Sequence, residues 1–217
     1  MSESSAELIK KKYALMAAPL IRNLEKRQFE AHYCATKEEA LAKALELIPK
    51  GSVVTWGGVM SAGDIRLKDA LMNSDYHVLD RDGAPTPEAK QDIMIKAFSA
   101  DVFITSFNAV SEDGVLVNID GNGNRVAAIC CGPKSVVAIV GMNKVCRTVD
   151  DALTRARNVA APLNCLRFGK TDTPCTKSGL CGNCTEPGCI CSEICFYRMC
   201  HVPNRIKIIL VGEDLGY

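Results

Sequence analysis

Residues 52–61 read Ser52-Val-Val-Thr55-Trp56-Gly57-Gly58-Val59-Met60-Ser61, and the class of fold turns on them. A short β-branched strand runs into a glycine turn, and Ser61 can cap a helix to about Met72 with Asp64 three residues in. Strand, glycine turn and helix N-terminus together form the geometry that cradles an anion on backbone N–H groups. A tight βα turn wants glycine for its own sake, so a binding loop and a plain connection both remain open for Gly57 and Gly58.

The chain on either side supplies more units of the same kind. Tyr76–Leu79 reads as a strand, Thr86 with Pro87 opens a helix to Phe98, and Asp101–Ser106 is another strand. This β-α-β-α-β order, with helices long enough for crossovers, predicts an α/β domain with a parallel sheet. Upstream, residues 4–28 carry Leu8, Ile9, Leu15, Met16, Leu20, Ile21 and Leu24 at helical spacing, softened at Pro19. A strand over Phe29–Cys34 follows, then a helix through Ile48 with Thr36 and Glu39 as a capping box. Residues 1–50 are expected to form an N-terminal helical segment, a packing helix or oligomer arm, on a domain spanning 51–217. Downstream, Cys131-Gly132-Pro133 is a turn and Ser135–Val140 a strand. Thr148 and Asp151 open a helix to about Asn158, and Arg205–Val211 is the last strand, carrying Gly212–Tyr217 towards the earlier strand ends.

Residues 106–125 are polar beside apolar strands. Two short strands flanking a turn at Asp120–Asn124 predict a hairpin, which accounts for the glycines. It leaves Asn108, Ser111, Glu112, Asp120, Asn124 and Arg125 unexplained. Arg125 can clamp a carboxylate or phosphate, and Glu112 can serve as base or nucleophile.

Seven of the twelve cysteines fall in 175–200: Cys175, Cys181, Cys184, Cys189, Cys191, Cys195 and Cys200. With Cys175, Cys181, Cys184 and Cys191 as ligands, the spacing is Cys-x5-Cys-x2-Cys-x6-Cys. A disulfide framework suits short secreted chains, whereas this one starts with polar Met1-Ser-Glu-Ser and no apolar signal segment. Zinc usually gathers two separated Cys pairs, and an iron–sulfur cluster a compact run. An iron–sulfur centre of the 4Fe-4S type is therefore favoured over zinc, in a small Cys-rich insertion over 170–204. His201 follows Cys200 directly and could replace a thiolate; as one of three histidines it reads instead as a bystander. The remaining cysteines (Cys34, Cys130, Cys131, Cys146 and Cys165) read as small core residues suited to a reducing cytoplasm.

The 217 residues suffice for one α/β domain with a small appendage, and 47% hydrophobic with 24% charged content is that of an ordinary globule. A net charge of +1 argues for neither nucleic acid nor an anionic membrane surface. No apolar run approaches the roughly 20 residues that span a bilayer.

The series Trp56-Gly57-Gly58, Asn108-Ala-Val-Ser-Glu112-Asp-Gly114, Asp120-Gly-Asn-Gly-Asn124-Arg125, Arg157-Asn158-Val-Ala-Ala-Pro162-Leu-Asn164, Pro174-Cys175 and Gly212-Glu-Asp-Leu-Gly-Tyr217 resembles the LUD domain proteins, the lactate-utilisation or DUF162 family, over nearly the whole chain. The resemblance implies a three-layer α/β/α sandwich like that of sugar-phosphate isomerases and CoA transferases, with substrate over the strand carboxyl ends. It also implies a cysteine set like Cys175, Cys181, Cys184 and Cys191; Cys189, Cys195 and Cys200 exceed that set. Members encoded with lactate oxidation proteins act beside iron–sulfur partners in oxidising lactate to pyruvate.

Two functions follow as expectations. In the first, the chain is a cytoplasmic redox component that holds a small carboxylate such as lactate through Arg125 and the Gly57-Gly58 amides and works with iron–sulfur subunits. In the second it is a transferase or ligase-like enzyme, with Glu112 near a CoA ester or nucleotide phosphate and a structural zinc. A third, blander option is a non-catalytic binding subunit whose metal holds the Cys loop closed, and a homo-oligomer fits any of the three.

Overall fold

The computed structural model describes residues 4–217. Its main sheet has six parallel strands in the order β1-β10-β7-β4-β2-β3. These are β1 (Glu30–Cys34), β2 (Val53–Trp56), β3 (His77–Leu79), β4 (Val102–Thr105), β7 (Ser135–Gly141) and β10 (Ile206–Val211). Central β7 shows why helices cover both faces. Val136, Ala138 and Val140 enter one apolar cluster, and Val137 and Ile139 enter another. A strand buried on both sides reads as a continuous apolar run, as this one does.

The first cluster lies under α1 (Ser5–Lys26), through Leu20 and Leu24. The second lies under α2 (Lys37–Leu47), α3 (Met60–Asp64) and α4 (Leu67–Met72), through Ala40, Ala44, Ala62, Leu67 and Leu71. These helices flank the parallel sheet on both faces, while α5 (Pro87–Lys96) buries no residue of its own. β1 pairs with β10 in register Glu30↔Lys207. Residues before 50 therefore contribute an edge strand to the sheet as well as helices packed on it.

A second, four-stranded sheet, β8-β5-β6-β9, was not legible in the sequence. It comprises β5 (Ala109–Ser111), β6 (Leu116–Asp120), β8 (Val145–Cys146) and β9 (Glu193–Tyr197). The hairpin exists, but its turn falls at Glu112–Gly114, where Gly114 adopts φ +91° and the Gly114 N–H donates to Ser111 O. The expected turn at Asp120–Asn124 instead delivers α6 (Asn124–Cys130) through Gly123 at φ +70°. A left-handed glycine serves either kind of turn, which is why composition misplaced it. The later half of the Cys-rich stretch is also no free insertion, since β9 pairs antiparallel with β6, Cys195 opposite Asn118.

The helix from Thr148 runs further than expected. α7 (Val149–Arg155) passes through a wide turn at Ala156–Ala160 into α8 (Ala161–Arg167), with Pro162 absorbed in the first turn of α8. A short α9 (Pro174–Ser178) follows.

Candidate functional site

The carboxyl ends of β2, β4 and β6 and the turn after β7 open on one pocket of about 420 Å³. Six cationic side chains line it (Lys68, Arg81, Lys90, Arg125, Lys144 and Arg167) against two acidic ones, Asp82 and Asp120. In a chain of net charge +1 this is a local segregation of positive charge, suited to an anion.

Both acids are already engaged. Burial alone would raise the Asp82 carboxyl, but Lys68 at 2.7 Å and the Trp56 indole N–H at 3.0 Å hold it below its ordinary value. Asp120 accepts from the N–H groups of Gly121 (2.9 Å), Arg125 (3.1 Å) and Val126 (3.1 Å), and so caps α6. Arg125 pairs with Asp120 at 3.7 Å and donates to Ile119 O and to Asn108 Oδ1.

Of the residues expected to bind substrate, Gly58, Asn108, Asp120, Asn124 and Arg125 line this pocket. Gly57 stands behind it. Its N–H donates to Ile104 O at 3.1 Å, and a Cβ there would lie 3.2 Å from the Arg125 stem. Gly57 thus makes room for Arg125 and has no amide left for a ligand. Glu112 lies outside the pocket, on the exposed hairpin turn, with its N–H bonded to Cys146 O and its carbonyl to Asn23 Nδ2. The hairpin's turning at Glu112–Gly114 carries that carboxylate away from the strand ends.

Ser61 is not a cap either. Helix α3 begins at Met60 with Val59 before it, which places Ser61 Oγ on Lys144 Nζ at 3.0 Å. Ser106 Oγ accepts from the same amine at 3.1 Å. Lys144 is buried, and that burial, followed by the charges of Arg155 and Arg125, pulls it down to about 7 while Asp64 pulls the other way. The sequence did signal it. Lys144 is a cation three residues beyond a strand that is apolar from Val136 onward, at the strand end where such folds bind ligands.

A second cavity, of about 70 Å³, is lined by six thiols: Cys165, Cys175, Cys181, Cys184, Cys189 and Cys191. All four expected ligands are among them. Cys165 joins from α8, and Cys189 from beyond the expected set. Cys195 and Cys200 pack elsewhere, against the first core cluster. Burial, then Cys175, pushes the Cys165 thiol up to about 11; burial, then Cys189 and Cys165, pushes Cys191 up to about 12. Arg157 contributes one N–H to Cys181 Sγ at 3.6 Å. Among the described residues no three His, Cys, Asp or Glu side chains stand together as a ready-made metal site.

The two cavities are neighbours. Ile119 and Ile190 line both, and a Cβ on Gly121 would lie 3.2 Å from Ile190 O, so the thiol loop packs directly on the pocket's turn.

The LUD domain model matches residues 17–211, which include the lining of both cavities apart from Tyr217. The chain belongs to the LUD domain family. It is similar to the crystal structure of a DUF162 family protein from Deinococcus radiodurans, at 12% identity and a TM-score of 0.52. That likeness covers 92% of this chain and 98% of the other, and it shows a shared fold. No curated protein matches the sequence. Among the described residues of this LUD domain protein, no helix is long and apolar enough to cross a membrane.

Proposed function

We propose that this LUD domain protein binds a small organic acid of the lactate or pyruvate type in the basic pocket, and that the adjoining thiols hold an iron–sulfur centre. The observation that carries the reading is the wall of Ile119 and Ile190 common to the two cavities. Six thiols lining one cavity are the donor chemistry such a centre takes. Burial first, and neighbouring thiols after it, raise Cys165, Cys184 and Cys191, and a metal would supply the positive charge that lets them ionise. Cys175, Cys181, Cys184 and Cys191 are the ligands expected from the sequence, with Cys165 and Cys189 within the same cavity. When bound, such a centre supplies an electron acceptor next to the acid.

The chain's own residues do the rest. Arg167 and Lys68 face an entering carboxylate, while Arg125, tethered to Asp120 and Ile119, holds the pocket's floor in shape. The buried side of the pocket, around Phe107 and Ile119, keeps water from the reacting carbon. Electrons would leave to an iron–sulfur partner subunit, as in a lactate-oxidising system.

The pocket's volume favours a second reading, since 420 Å³ exceeds what a three-carbon acid needs. Lys68, Arg81 and Lys90 would then hold a phosphate-bearing ligand and the thiols a structural zinc. That reading lacks its expected base in the pocket, because Glu112 lies outside it. Protein purified without oxygen and assayed for iron, sulfide and zinc, then titrated with lactate, pyruvate, CoA and a nucleotide, separates the two. Iron with sulfide and carboxylate binding supports the first. Zinc without iron, with binding of the phosphate compounds alone, overturns it.

A further inference from the structure

Lys144 is the one pocket cation that is buried, at 3% exposure. Among the described residues its Nζ donates to the hydroxyls of Ser61 and Ser106, themselves 3.4 Å apart. Arg125 of α6 and Arg155 of α7 face it with like charge, and Asp64 of α3 is the acid acting on it from farther away. The C-terminal tail closes over it, such that a Cβ at Gly216 would lie 3.3 Å from Nζ. A lysine placed only to bind anions is better left hydrated and charged. Burial beside other cations is how proteins produce a free amine near neutral pH.

We propose that Lys144 is an amine nucleophile that forms a reversible imine with the carbonyl carbon of a 2-oxo acid. This rests on the small-acid reading of the pocket, in which Arg167 and Lys68 hold the carboxylate. The Nζ lone pair forms the C–N bond, and the carbonyl π electrons move to oxygen, which takes up a proton. The carbinolamine then loses that oxygen as water while nitrogen gives up its proton, leaving C=N. No oxidant or reductant enters. Ser61 and Ser106, both within hydrogen-bond distance of Nζ, are placed to pass these protons.

The test is borohydride trapping on the full chain with pyruvate, followed by peptide mapping. Calorimetric binding of lactate and of oxamate, whose amide carbonyl is a poor electrophile, runs beside it. The expected result is one carboxyethyl group on the peptide carrying Lys144, none with oxamate, and trapping that quickens as pH rises through about 7. Lys144→Arg, checked for folding by circular dichroism, should lose the adduct. Bound lactate with no adduct from pyruvate, or modification spread evenly over surface lysines, overturns the imine and leaves the acid pocket standing. Failure of every acid to bind overturns both.

Discussion

Replacing Asp120 by Ala should destabilise the fold as well as alter the pocket. Its carboxylate accepts from three backbone N–H groups and pairs with Arg125, and its side chain is only 13% exposed. Hydrogen bonds to a charged acceptor contribute roughly 1.5–3 kcal/mol each, and loss of a helix cap costs about 0.5–2 kcal/mol. The three donors share one group, so these values do not add. About 2–4 kcal/mol is the expected loss once part of the turn rehydrates. At about 2–4 °C per kcal/mol for a chain of this size, the thermal midpoint falls by roughly 4–16 °C. Asp120→Asn keeps one acceptor oxygen and should lose about half as much. Thermal and urea unfolding followed by circular dichroism measure both variants. An Ala variant that melts with the parent would show that Asp120 is a ligand-facing group and not the cap of α6.

Other substitutions probe separate parts of the account. Gly132 adopts φ +108°, and a Cβ there would lie 2.7 Å from Phe98 O, so Gly132→Ala should destabilise by about 2–3 kcal/mol in urea unfolding. Parent-like unfolding would mean that the turn relaxes. Arg167, whose guanidinium bonds Asn164 Oδ1 at 2.7 Å and lines the pocket, should weaken pyruvate binding about five- to tenfold as Arg167→Gln, equivalent to roughly 1 kcal/mol. Calorimetry showing unchanged affinity would remove it from the site. Lys144 has its pKa lowered from 10.5 to about 7 on folding, so between those values the unfolded chain holds the extra proton. Its contribution to stability is therefore least below about pH 7 and recovers as pH rises. Lys144→Met should gain most over the parent at about pH 6 and lose that advantage progressively as pH rises towards 10.5; a pH-independent difference would contradict the buried-amine assignment.

The main sheet was legible because its strands are apolar runs bounded by Gly, Pro and capping residues: Thr36, Thr86 and Thr148 all cap the helices assigned to them. The second sheet was not. β5 and β8 are three and two residues long, and β9 alternates within a Cys-rich segment whose spacing drew the reading towards a metal loop. Asp120 and Arg125 were recognised as pocket residues, but their mutual ion pair and backbone bonds depend on the turn at Gly123, which composition could not tell from a hairpin. Glu112 was expected in the pocket and lies outside it for the same reason, a turn placed one strand too late. Ser61 and Ser106 were invisible as a pair because 45 residues separate them, and only the parallel register of β2 and β4 brings them to one amine.

In the proposed function, an acid in the basic pocket and a centre held by the thiols share the wall of Ile119 and Ile190. Iron–sulfur reconstitution without oxygen, followed by a pyruvate titration read in the visible and electron paramagnetic resonance spectra, tests it most directly. The account predicts bound iron and sulfide whose spectrum shifts as the pocket fills. Thiols that take up no iron, or a centre whose spectrum is unchanged when pyruvate saturates the pocket, would contradict it.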